Sequence, residues 1–177
     1  MPNHFENDLY IDGPKEKVSE LLAFIGADKT EPEFDFSAVI PYPQEYAQRD
    51  LDARNMNADE FEAKYGSHHD GFNSGGYEWR IENWGTRWGA YDVQRRDRKG
   101  PCISFQTAWS PSIPIIAALH KRFPEVCLSL EYFECRGAFS GGVTYERAEY
   151  AEDYDDWAPG VPVHKWHNDD YLGRRGG

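Results

Sequence analysis

The sequence is poor in cysteine and has no long apolar run, and these two absences exclude several classes of protein. Its 177 residues contain three cysteines, Cys102, Cys127 and Cys135, with no Cys-x-x-Cys spacing. An odd number so spaced argues against a disulfide framework and against a zinc ribbon. No apolar stretch approaches the ~18 residues of a membrane span, and the opening "MPNHFENDLY" lacks the features of a secretory signal. We therefore expect a cytoplasmic protein with no membrane partner.

Basic residues are also scarce, with 19 Lys and Arg against 31 Asp and Glu and a net charge of -12. Direct nucleic-acid binding is therefore not expected, because Lys and Arg contacts to phosphates supply most of that affinity. The basic cluster "RRDRK", residues 95–99, is typical of a solvated hairpin tip. Residues 146–157 carry six acids and one Arg. This run is interpreted as a solvated tail, or alternatively as an acidic surface that imitates DNA phosphates.

Motifs that would identify a catalytic or metal site are missing. There is no Gly-x-Ser-x-Gly nucleophile elbow and no Walker lysine. The segments "SHHDG" (67–71) and "HKWHNDD" (164–170) contain metal-ligand residue types, but both are interpreted as solvated loops. The sequence thus predicts no catalytic residue, no metal and no cofactor. Glu78, Glu82 and Asp92, near an aromatic cluster, keep an enzyme that processes nucleotides or nucleic acids as an alternative.

The first half of the chain carries a strand pattern followed by a clear helix pattern. "FENDLYI" (5–11) alternates between apolar and polar residues, as a strand with one wet face does. An i, i+3, i+4, i+7 apolar stripe, Val18, Leu21, Leu22 and Ile25, then predicts a helix. Residues 33–43, "EFDFSAVIPYP", are predicted to form a second strand. Residues 44–84 have helical and loop composition and are predicted to be an insertion.

The second half returns to alternating elements. Strands are predicted over 87–98 and 102–109, a helix begins near Ser112, and two further strands cover 125–137 and 138–147. Two helices on one face of one antiparallel sheet, with a helical insertion, make an α+β domain of ferredoxin-like kind. We predict a single domain over residues 1–145, followed by an acidic, loosely attached tail over 146–177.

Several phrases of the chain together resemble a known family. "NWGTRWGAYD" (83–92), "ISFQTAWSPSIPIIAALHKRFP" (103–124), "LSLEYFE" (128–134) and "GAFSGG" (137–142) are similar to the YubB-like ferredoxin-fold family of bacteriophages and conjugative plasmids. The resemblance spans most of the chain to about Tyr145. It implies the ferredoxin-like fold and an accessory role for a mobile element in the cytoplasm of its host cell. It implies no activity.

An aromatic cluster from the insertion and the two following strands is the candidate site. One interpretation is a second aromatic core that holds the inserted helix on the sheet. The other is a pocket in which Trp84 and Trp88 stack a planar ligand while Arg87 pairs with its anionic part. Trp79 lies in the same cluster. The predicted ligand-binding residues are Arg80, Asn83, Trp84, Thr86, Arg87, Trp88, Tyr91 and Trp109.

The sequence therefore favours a non-enzymatic binding protein whose partner is a small nucleotide-like ligand or a host defence protein. One alternative is an acidic DNA mimic that inhibits a nucleic-acid-binding host protein. The other is the enzyme that processes nucleotides or nucleic acids.

Overall fold

One six-stranded antiparallel sheet organises the chain. The computed structural model describes residues 3–66, 76–97, 100–134 and 140–147 in full, and 163–165 by their backbone. The strands are β1 His4–Asp12, β2 Tyr91–Arg96, β3 Cys102–Ala108, β4 Cys127–Glu134, β5 Ser140–Tyr145 and β6 Val163–Lys165. Their order across the sheet is β2-β3-β1-β4-β5-β6. The helices are α1 Lys15–Ile25, α2 Phe36–Val39, α3 Gln44–Asn55, α4 Ala58–Tyr65, α5 Gly76–Trp84 and α6 Ile113–Arg122.

The core lies on one face of this sheet. In β1, the alternate residues Phe5, Leu9 and Ile11 are buried, and they join one apolar cluster with the facing side chains of β3, β4 and β5. The predicted stripe of α1 and the buried side of α6 complete that cluster. Two helices on one face of an antiparallel sheet confirm the predicted α+β, ferredoxin-like class.

The prediction of a second strand over residues 33–43 is wrong. Phe34 and Phe36 are both buried, and a short helix, α2, occupies the middle of the segment. The side chain of Asp35 accepts a hydrogen bond from the Ser37 N–H at 2.8 Å and so caps α2. This cap competes with strand formation, because a short carboxylate side chain satisfies the backbone locally. The neighbours of β1 in the sheet are β3 and β4, both from the second half of the chain.

Helices α3, α4 and α5 lie in the region predicted to be a helical insertion. Its bounds, 44–84, stay a prediction, and residues 67–75 lie outside the described residues. Asn57 caps α4 in a capping box with Glu60. Asp52 ties α3 to α4 by accepting hydrogen bonds from Lys64 Nζ at 2.6 Å and from the Tyr65 hydroxyl at 2.5 Å. These hydrogen bonds, with Lys64 first, lower the pKa of Asp52 to about 2.

Gly85 positions the end of the insertion against α6. Gly85 directly follows the last residue of α5 and has a φ of +77°. A Cβ at this position would lie 2.6 Å from Pro114 Cδ. A residue with a side chain would therefore push α5 away from α6.

The predicted acidic tail, 146–177, falls mostly outside the described residues. Its described parts are Glu146, Arg147 and strand β6, which pairs with β5 so that Lys165 faces Gly142. The domain boundary near residue 145 stays a prediction. Among the described helices, none combines the length and apolarity needed to cross a bilayer.

Candidate functional site

A cleft of about 560 Å³ opens between the insertion and the sheet edge. Residues 32–37, which lead into α2, line one wall. The other wall is lined by residues before and at the start of the edge strand β2: Trp88, Gly89, Ala90, Asp92 and Val93. Helix α5 contributes Arg80 and Trp84, and α3 contributes Arg54. The cleft therefore lies where four separate parts of the chain meet.

Trp84 builds the floor of the cleft and anchors α5. Its side chain is 5% exposed, and its indole N–H donates to the Ile40 carbonyl at 2.9 Å. It meets Phe36 edge-to-face, with ring centres 5.9 Å apart, and Trp79 at 5.7 Å. Trp84 thus joins the inserted helix to the core, and its side chain also lines the cleft. Ligand binding by the aromatic cluster stays a prediction.

Arg80 lies in a cluster that neutralises its charge. Its guanidinium pairs with Asp50 of α3, donates to the Tyr42 hydroxyl at 2.7 Å and lies 4.4 Å from the centre of the Tyr42 ring. The Tyr42 hydroxyl donates to Asp50 at 2.8 Å. Burial and this carboxylate raise the Tyr42 pKa, so the phenol stays protonated. Arg80 therefore fixes α5 to α3 and offers little free positive charge to a ligand.

Gly76, the first residue of α5, lets the helix begin against this cluster. A Cβ at Gly76 would lie 1.5 Å from the Tyr42 hydroxyl and 3.2 Å from Tyr46 Cβ. The position of the first turn of α5 and the position of the Tyr42 ring therefore depend on each other.

Carboxylates surround the mouth of the cleft. Glu33 and Asp35 are exposed on one wall, and Asp92 is exposed on the other. Asp92 sits at an irregularity of β2 between Tyr91 and Gln94, with a φ of +51°. Bulges of this kind redirect a side chain out of the strand's alternation. They occur often beside functional sites.

The net charge of the cleft lining is negative. Three carboxylates, Glu33, Asp35 and Asp92, face two guanidiniums, Arg54 and Arg80. Arg80 is already paired with Asp50 and Glu33 with Lys29, which leaves Asp35 and Asp92 against Arg54. Such a mouth favours cations and hydrogen-bond donors over anions. Glu33 and Asp35 are not among the predicted site residues, because the pattern of residues 33–43 predicts a strand. Arg54 is not among them either, since it reaches the cleft from α3 through tertiary packing.

Three of the predicted site residues have structural contacts and do not line the cleft. Asn83 Nδ2 donates to the Trp79 carbonyl at 2.8 Å, within α5. Thr86 is fully buried and donates to the Ala108 carbonyl at 2.8 Å. The Tyr91 hydroxyl hydrogen-bonds with His4 Nδ1 at 2.5 Å, on the sheet face away from the helices.

Two other predicted residues, Arg87 and Trp109, form a separate arrangement with Tyr77. The guanidinium carbon of Arg87 lies 4.7 Å from the centre of the Tyr77 ring and 4.4 Å from that of Trp109. We call these three residues the stacked cluster. None of them lines the cleft. Of the eight predicted residues, Arg80, Trp84 and Trp88 are therefore the ones that the structure brings to the cleft.

The described cysteines and His120 do not form a nucleophilic site. Burial raises the pKa of Cys102 to about 11 and that of Cys127 to about 12, which leaves both as weakly nucleophilic thiols. His120 is buried, its Nδ1–H donates to the Val126 carbonyl at 3.2 Å, and burial lowers its pKa. Cys135 lies outside the described residues.

The two histidine-rich segments also fall outside the described side chains, since residues 67–71 and 166–170 are not described and 164–165 are described by backbone alone. Within the described ranges, no three His, Cys, Asp or Glu side chains are grouped so that they would hold a metal ion.

Comparison with known proteins supports the fold. Residues 83–159 match the model of a family described as "Ferredoxin-like domain in Api92-like protein". The crystal structure of the protein api92 from Yersinia pseudotuberculosis is similar over 94% of this chain and 98% of that one, with a TM-score of 0.54 and 11% sequence identity. At that identity the likeness shows the fold alone. No curated protein sequence matches the chain significantly.

These matches confirm the ferredoxin-like part of the sequence resemblance. Neither match names the YubB-like family, a phage or a plasmid. The family model begins at Asn83 and so covers Trp84, Trp88 and Trp109, but it assigns no role to them.

Proposed function

We propose that the chain is a non-enzymatic binding protein whose cleft holds a planar ring that carries amino groups, such as a nucleobase. The observation that supports this most strongly is a cleft with an aromatic floor and wall and a mouth of exposed carboxylates. Ligand sites are typically apolar concavities in which a few polar groups converge.

Trp88 is the residue we expect to stack on the ligand. Trp88 is half-buried in the cleft wall. Among the described residues, no other aromatic ring contacts the indole ring of Trp88. Stacking of a base on an aromatic side chain is worth about 1–3 kcal/mol. Trp84, by contrast, has both Phe36 and Trp79 against it.

The carboxylates determine which rings fit. Exocyclic amino groups of a base donate to carboxylates such as Asp35 and Asp92, whereas a phosphate is repelled by them. This differs from the sequence-based hypothesis, in which Arg87 pairs with an anionic group, because Arg87 does not line the cleft. An uncharged nucleoside is therefore a better ligand than its phosphorylated form.

Titration with cytidine and uridine tests the proposal, since the base of cytidine carries an amino group at C4 where that of uridine carries a carbonyl. We expect cytidine to quench tryptophan fluorescence and release measurable heat, uridine to bind more weakly, and cytidine 5′-monophosphate to bind more weakly than cytidine. Trp88→Ala should abolish cytidine binding in a protein that stays folded, while Trp109→Ala should retain it. Absent binding, or equal binding of all three compounds, would exclude the proposed ligand class.

We place this binding role in the cytoplasm of a bacterial host, where it assists a phage or plasmid, on the basis of the sequence resemblance. The alternative function is an acidic mimic of DNA, supported by the net charge of -12 and by the six acids of residues 146–157. Neutralising those six acids to Asn and Gln in the full chain should then abolish inhibition of a nucleic-acid-binding protein. The inhibition should also weaken steeply with salt. Unchanged inhibition would exclude the mimic.

A further inference from the structure

We propose that the stacked cluster of Tyr77, Arg87 and Trp109 is a docking site for an apolar segment of a protein partner that carries one carboxylate. This site is distinct from the cleft, because none of the three residues lines it. The inference therefore does not depend on the ligand proposed above.

The guanidinium of Arg87 contacts two aromatic rings. Its central carbon lies 4.7 Å from the ring centre of Tyr77 and 4.4 Å from that of Trp109. Contacts of this kind order the side chain through cation–π attraction. Cation–π contacts do not use the N–H donors of the guanidinium, whose fork geometry a carboxylate accepts.

Arg87 has no carboxylate partner among the described residues, in a chain with 12 more acids than bases. Other arginines do have one: Arg80 pairs with Asp50, and Arg95 with Asp97 at 2.9 Å. Among the described residues, Arg87 is the arginine that lies over two aromatic rings and has no carboxylate partner. Its charge therefore complements a carboxylate supplied from outside.

The surroundings of Arg87 are apolar and exposed. Trp109 is 40% exposed, and Ile81, one turn from Tyr77 on α5, is 41% exposed. Trp109 also has a φ of +71°, which a tryptophan rarely adopts, and its backbone N–H is held by the Asn3 carbonyl at 2.9 Å. Trp, Tyr and Arg are the residues most enriched at the energetic centres of protein interfaces.

The charge of the chain limits the kind of partner. A polyanion such as a nucleic acid is repelled by a net charge of -12. A mainly apolar segment with one Asp, Glu or C-terminal carboxylate avoids this repulsion, since charges more than about 8 Å away are screened at physiological ionic strength. Its apolar side chains cover Trp109 and Ile81 while its carboxylate meets Arg87.

Fluorescence anisotropy with short labelled peptides tests the site. The peptides consist of Leu and Ser around one central residue, which is Glu in the first peptide and Gln or Lys in the two control peptides. We expect the Glu peptide to bind tightest. Arg87→Gln should raise its Kd about tenfold or more, because a charge-assisted hydrogen-bonded pair is lost, and should leave the Gln peptide unaffected. Trp109→Ala should weaken both peptides, and Arg87→Lys should restore part of the preference for Glu.

Arg122→Gln is the matched control. Arg122 of α6 also stacks on a ring, with its guanidinium carbon 4.2 Å from the centre of Phe24, and the substitution removes the same charge. We expect wild-type peptide binding from this variant. The proposal is overturned if no peptide binds, if Glu and Gln peptides bind equally, or if Arg122→Gln weakens binding as much as Arg87→Gln does. Cytidine binding at the cleft reports separately on the proposed function.

Discussion

Arg80 and Arg87, from one short stretch of sequence, meet different surroundings. Arg80 is 19% exposed by its side chain and is bound by Asp50 and Tyr42, so that its charge is used within the fold. Arg87 is flanked by Tyr77 and Trp109 and has no acid beside it in the described part of the chain. The difference comes from α3, which supplies Asp50 to one arginine and nothing to the other.

The two tryptophans nearby repeat this contrast. Trp84 is enclosed by the core and hydrogen-bonded to Ile40, whereas Trp109 is substantially exposed and stacks on Arg87. Arg80 and Trp84 thus join the insertion to the domain. Arg87 and Trp109 contribute to a surface. Matched substitutions of the two kinds should separate stability from binding.

Replacement of Trp84 should have the largest effect. Trp84→Ala removes a buried indole and leaves a cavity between α5 and the core, so we expect a loss of about 3–5 kcal/mol in the free energy of unfolding. Trp109→Ala, at an exposed position, should cost less than about 1 kcal/mol. Urea denaturation followed by circular dichroism measures both. Similar losses would show that the two tryptophans are not used differently.

Replacement of Arg80 should have the next largest effect. Arg80→Ala removes the cation from the mostly buried Asp50 and a hydrogen bond from Tyr42, and we expect a loss of about 2–3 kcal/mol. Arg87→Ala should change the free energy of unfolding by less than about 1 kcal/mol. A double-mutant cycle of Arg80→Ala with Asp50→Ala should give a coupling energy above zero. Additive losses would contradict the role given to the pair.

Gly76→Ala should disturb the same cluster through shape alone. The new methyl group would collide with the Tyr42 ring, which Arg80 and Asp50 hold in place, and overpacking of this kind costs about 1–3 kcal/mol. Gly89→Ala is the control, since nothing lies within 4 Å of a Cβ built there. The thermal midpoint of unfolding should fall for Gly76→Ala and stay unchanged for Gly89→Ala. A wild-type midpoint for both would mean that Tyr42 is not fixed.

The smallest of these effects should be a change in the pH dependence of stability, caused by Asp52, which links α3 to α4. The folded chain lowers the pKa of Asp52 from 3.8 to about 2, chiefly through Lys64. Its contribution is therefore present above about pH 4 and is lost as the pH falls towards 2. The acid dependence of urea denaturation should be shallower in Asp52→Asn than in the wild type. Asp28→Asn, at an exposed turn, should keep the wild-type dependence, and an equal change in both variants would contradict the assignment.

Much of the fold was predictable because its signals are local. The alternation of β1 and the apolar stripe of α1 follow directly from strand and helix geometry. The segment around Phe34 and Phe36 was wrongly predicted to be a strand, because aromatic and acidic residues alternate there as they do in a strand. The hydrogen bond from the Ser37 N–H to Asp35 determined the outcome instead.

The site was less predictable because its walls come from distant parts of the chain. The aromatic motif contains Trp84 and Trp88, which line the cleft, but Asp35 and Arg54 reach the cleft through the packing of α2 and α3. The same motif also contained Arg87, whose surroundings depend on Tyr77 and Trp109. The composition of the motif identified the aromatic cluster. Only the tertiary structure determines that Arg80 pairs with an acid and Arg87 does not.

Backbone amide NMR during a cytidine titration tests the separation of the cleft from the stacked cluster most directly. We expect amide shifts that saturate with cytidine in residues 33–37 of one cleft wall and in residues 88–90, 92 and 93 of the other. The amides of Tyr77, Ile81 and Trp109 should stay unchanged. Shifts centred on those three residues, or no saturating shift at either wall, would contradict the assignment of the cleft as the ligand site.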